Sequence, residues 1–203
     1  MVFRFDCKYH ILTTDTTSST TAQTFNKESA MTLLASGPNG TSASQPNLGA
    51  AAKVGAWLFV LWGVLHVWVG YEGIHQYLSN GTPGLWNTVV GGINAPRTAY
   101  VHATDAITAF AQGQLLLNFC IDVGGYGILG LTVAWLILNR ASWPAYFIGV
   151  FIIGIADLTF LFAMVTSGVI ELNAGTVGGP VIWLLAIIMT PFGMPSLRNN
   201  SNR

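Results

Sequence analysis

The side chains of this sequence that can do chemistry are few and sit in apolar surroundings. His66 lies in Val54–Tyr71, VGAWLFVLWGVLHVWVGY, eighteen residues without a formal charge, and Asp122 and Asp157 lie in two later apolar runs. A carboxylate near the middle of a bilayer costs about 2.5–3.5 kcal/mol on insertion scales, so neither aspartate belongs against lipid. Each must be protonated, paired or hydrated in a cavity. His66 is the natural partner, because an imidazolium between carboxylates neutralises charge, while Asn118, Tyr126 and Thr159 offer hydrogen bonds. Two readings stay open for His66, Asn118, Asp122 and Asp157: a buried polar knot that fixes helix register, or a site for a ligand, proton or ion.

Helical spacing says which residues share a face with these groups. Phe59, Trp62, Gly63, Gly70, Gly73 and Tyr77 fall on the side of His66. Gln114, Asn118, Asp122 and Gly125 form a polar and small stripe on the second run, and Gly149, Gly154, Asp157 and Phe160 form one on the third. Small residues let membrane helices approach closely and polar ones bond across the contact, so the three stripes are expected to face one another. A second group, Glu72, His75, His102 and Asp105, falls at the outer membrane surface.

Known cofactor patterns do not fit. Haem held by two histidines needs facing imidazoles at one depth, yet the later apolar runs contain no histidine, and His66 and His75, nine residues apart, point to opposite sides of a helix. Neither His66 with Asp122 and Asp157 nor the outer cluster has a recognised metal-ligand spacing, so no metal or cofactor is assigned. GxSxG, HExxH, CxxC, P-loop and dinucleotide fingerprints are absent, so the reading favours an accessory or structural membrane component over an enzyme, while an intramembrane ligand- or proton-binding protein and a redox-associated membrane enzyme subunit stay open as alternatives.

The elements that position these groups are membrane spans. Charged residues make up 8% of the 203 residues and hydrophobic ones 52%, far from the ~25% charge of soluble domains. Val54–Tyr71 covers about 27 Å as a helix, close to the hydrocarbon thickness. Further spans run over Leu115–Leu138, Ala145–Ile170 and Val177–Met194. Ser142 is placed to cap the third, with Pro144 in its first turn, and the short connection makes spans two and three antiparallel neighbours. Gly178, Gly179 and Pro180 predict a late start or a bend in the fourth. Between Gln76 and Gly113, SNGTPG and GGINAPR read as breaks, and Arg97–Phe110 as a short amphipathic helix that lies on the outer membrane surface or caps the bundle, as a cover over helix ends or a lid over a site.

The fold class is therefore all-α: a four-helix transmembrane bundle over 51–196, with a polar leader over 1–50 and a short tail over 197–203. Ser- and Thr-rich runs predict disorder from about Thr13 to Leu48, and Met31 is an alternative start to Met1. Lys53, Arg140, Arg198 and Arg203 fall on one side of four crossings, which by the positive-inside rule puts both termini in the cytoplasm. Zero net charge and the lack of a basic stripe argue against nucleic acid. The partners implied are the lipid bilayer and either another membrane protein or a second copy. Two cysteines, Cys7 and Cys120, are too few for a disulfide framework.

GVLH in the first span, GIADLTF in the third and GGPVIWLLAII in the fourth give the chain a layout that resembles small four-helix DoxX-like membrane proteins from about Val54 to Met194. The resemblance implies a membrane partner of redox proteins. It transfers no catalytic residue to a numbered position here.

Overall fold

The computed structural model describes residues 47–101 and 103–196, and its regular structure there is entirely helical. Four helices are long and apolar enough to cross a membrane: α1, Ala50–Val89; α2, Ala106–Arg140; α3, Trp143–Val165; and α4, Ala174–Gly193, whose last turn, Thr190–Gly193, is a 3-10 helix. Their outward faces carry Trp57, Val64, Trp68, Ile128, Phe151, Ile155 and Leu184, all exposed, as a bilayer requires. The expected disorder of the leader and the tail lie outside the described residues except at one point. Leu48 is buried in the core and the Gly49 amide donates to the Gly193 carbonyl at 2.9 Å, so the bundle begins before position 50. That bond joins the start of α1 to the end of α4, which puts these two ends on one side.

Helix α1 is longer than the apolar run that signals it. SNGTPG does not end the helix but reverses it: Gly81 has φ 65 and ψ −159, a conformation open in practice only to glycine, and Pro83 restarts the helix. The piece after Gly81 folds back, so that Leu85 is fully buried and packs over Gly73. The chain then pairs with the outer end of α3 through Gly91 and Gly92 amides on the Val169 carbonyl and the Asn94 amide on Gly168. The helix expected over Arg97–Phe110 is divided: Arg97–Ala99 is a single 3-10 turn, and Ile107 and Phe110 belong to the first turns of α2, capped by Asp105.

Glycines set the spacing of α1 and α2. A Cβ on Gly63 would lie 2.7 Å from the Gly127 carbonyl oxygen, and one on Gly70 2.7 Å from the Gly124 Cα, so the two backbones touch. The α2–α3 connection is as short as its sequence suggests. Ala141 takes the left-handed conformation at φ 47, and the Ser142 hydroxyl accepts from the Ala145 amide to cap α3. Helix α4 starts earlier than expected. Asn173 and Thr176 form a reciprocal capping box, and this carries the helix from Ala174 straight through Pro180.

Candidate functional site

The geometry of α3 brings an aspartate into the core. Two π-helical segments, Gly149–Ile153 and Phe160–Val165, bracket the α-helical turns of Gly154–Thr159 that carry Asp157. Such segments shift the register of a helix face and concentrate at functional positions. They also leave carbonyls free of their usual partners, and the Gly149 carbonyl accepts from the Trp183 indole at 2.9 Å. Gly154 leaves the space in which the Trp183 ring lies, and Phe59 of α1 fills the space beside Gly149.

Asp157 is 3% exposed and reaches α1 with both oxygens. Its Oδ2 accepts from the Trp62 indole Nε1–H at 2.9 Å, and its Oδ1 faces His66 Nε2 at 3.7 Å. His66 Nδ1 lies 2.8 Å from the carbonyl of Trp62, one turn earlier. A carbonyl only accepts, so Nδ1 carries a proton and Nε2 is the atom turned to the carboxylate. The Trp62 ring also stacks on the imidazole, with centroids 3.7 Å apart. Trp62 is fully buried against Gly130 of α2, and Gly179 of α4 packs against His66, where a Cβ would stand 3.0 Å from Cε1. Four helices thus meet at one tryptophan–histidine–aspartate cluster.

Of the residues expected to join it, His66 and Asp157 do and the others do not. Asp122 and Asn118 are exposed on α2 and bond to each other, Asn118 Nδ2 donating to Asp122 Oδ2 at 2.8 Å. The face of α2 turned to α1 is instead Gly113, Cys120, Gly127, Gly130 and Ala134, small and apolar. The rule that polar residues turn inward misplaced this helix by about half a turn. Tyr126 and Thr159 are exposed as well, and the donor to Asp157 is Trp62. Its role was open to sequence reading, since Trp62 lies one turn before His66 on the same face.

The three described members of the outer cluster each have a separate partner. Glu72 accepts from Gln76, His75 stacks on Tyr71, Asp105 caps α2 by accepting from the Thr108 amide, and His102 lies outside the described residues. Among the described residues no three His, Cys, Asp or Glu side chains are grouped to hold a metal ion. No protein-family model, curated protein or solved structure matches the chain.

Proposed function

We propose that this multi-pass membrane protein is an accessory or structural component of a membrane assembly, in which Trp62, His66 and Asp157 form a lock that fixes α1 against α3. The observation that carries this reading is the closure of the cluster by its own chain. The indole nitrogen, Nδ1 and Asp157 Oδ2 each have a partner at 2.8–2.9 Å, Nε2 faces Oδ1 at 3.7 Å, and Gly179 packs against one edge of the imidazole. A ligand pocket would leave polar groups converging on an opening.

A second reading rests on one specific feature. The His66 side chain is 20% exposed against 4% for Asp157, so the histidine is the more open member of the cluster and the one through which a proton would enter. His66→Ala separates the two. As a lock, the substitution strands Asp157 and costs about 1–3 kcal/mol of stability toward denaturation in detergent. As a proton-binding site, it leaves stability near that of the parent and abolishes proton uptake measured in unbuffered detergent solution. The first result is the one expected.

The placement of Lys53 and Arg140 at the same end of the bundle supports termini in the cytoplasm. The four-span architecture alone supports a DoxX-like layout and, with it, a partner among membrane redox proteins.

A further inference from the structure

We infer that the outward stripe of α2 docks a transmembrane helix of another membrane protein, one that presents a Lys or Arg to Asp122. Gln114, Asn118, Asp122, Gly125 and Thr132 follow one another at helical spacing on the exposed side of α2. Polar and small residues in this pattern are what helices in membranes use to approach and bond one another, and among the described residues only Gln114 is engaged by another helix, donating to the Tyr77 hydroxyl at 3.2 Å, while Asn118, Asp122, Gly125 and Thr132 stay exposed. A Cβ on Gly125 would meet no atom within 4 Å, and a shallow groove of about 340 Å³ opens beside Asn118 and Ile121. Asp122 accepts one bond, from Asn118, and has no ion-pair partner among the described residues.

Charge selects the occupant. Arg140 lies eighteen residues further along α2, about 27 Å away, so with Arg140 at one interface Asp122 falls just inside the far edge of a ~30 Å hydrocarbon layer. Ionisable residues within transmembrane segments rarely face lipid and characteristically pair with an opposite charge, and Asp122 faces away from its own bundle. Among the described residues no lysine or arginine is to spare there: Lys53 lies at the Arg140 end, and Arg97 is paired with Glu171 at 3.5 Å. A second copy packed α2 on α2 about a two-fold axis sets Asp122 against Asp122, a repulsive contact. A foreign helix with a cation at that depth meets the carboxylate, and its backbone can settle over Gly125. The inference rests on α2 crossing the membrane and on none of the Trp62–His66–Asp157 residues, so it stands or falls apart from the lock.

The test reconstitutes the full chain, donor-labelled, in phosphatidylcholine vesicles with acceptor-labelled poly-Leu helices of about 20 residues. One helix carries a single Lys near the outer end and a control carries none. Energy transfer to the Lys helix is expected to exceed that to the control roughly ten-fold, and to fall to the control level in Asp122→Asn. Gly125→Ile, which fills the open notch and leaves the charge in place, is expected to weaken it also. Unchanged helical circular dichroism shows that both variants are folded. Equal transfer to the two helices, full retention in Asp122→Asn, or no transfer to either helix overturns the proposal. So does disulfide formation between copies of Gly125→Cys without added helix, which assigns the stripe to a second copy.

Discussion

At Asp157 the decisive quantity is the cost of leaving a buried polar group without a partner, which exceeds what a satisfied bond contributes. Asp157→Ala strands the Trp62 indole nitrogen inside the core and is expected to lower stability by about 1–3 kcal/mol in detergent unfolding. Asp157→Asn keeps an oxygen to accept from Trp62 and is expected to lose less. Gly178→Ala supplies the contrast. A Cβ there meets nothing within 4 Å, so its effect should stay within about 0.5 kcal/mol. Much of this residue-level picture was legible beforehand, because Phe59, Trp62, Gly63, Gly70 and Gly73 share a helical face with His66 and all are buried. What periodicity does not reveal is which polar group an aspartate will choose, and the indole of Trp62 took the place offered to Asn118, Tyr126 and Thr159.

Elements were legible in kind and less so in extent. A polar stretch such as SNGTPG reads as the end of a helix, yet local turn chemistry cannot say whether the chain leaves or folds back. Here burial of Leu85 favours the return. Gly81→Ala should show this directly: its φ of 65 and ψ of −159 are costly for any residue with a Cβ, and a loss of about 1–3 kcal/mol is expected by detergent denaturation. The face of α2 was misread because two small-residue stripes compete on it, one polar and one apolar, and backbone contact with Gly63 and Gly70 selects the apolar one. At the start of α2, the side chain and then the amide of Thr108 hold the Asp105 carboxyl below its ordinary value of 3.8. A carboxyl lowered on folding contributes stability that is complete above the unfolded value and disappears as pH falls through the folded one. The first turn of α2 should therefore fray below about pH 3.8, visible as faster amide exchange at Thr108, and should fray at every pH in Asp105→Ala.

For the whole molecule, four crossings and a joined pair of ends fix the relative topology. The α2–α3 turn and the α3–α4 connection then lie on opposite sides, so single cysteines at Ser142 and Asn173 should react with a membrane-impermeant thiol reagent from opposite faces of sealed vesicles. Labelling from the same face would contradict the four-span arrangement. Composition alone made this architecture readable, since eight basic and eight acidic residues cannot cover a soluble surface of this size. The lock at its centre is tested most directly by a double-mutant cycle on the full chain in detergent, combining Trp62→Phe with Asp157→Ala. Each single change strands a buried partner, whereas the pair removes both, so the double variant should lose less than the sum, with a coupling of about 0.5–3 kcal/mol. Single variants as stable as the parent, with effects additive within about 0.5 kcal/mol, would show that the cluster does not hold α1 to α3.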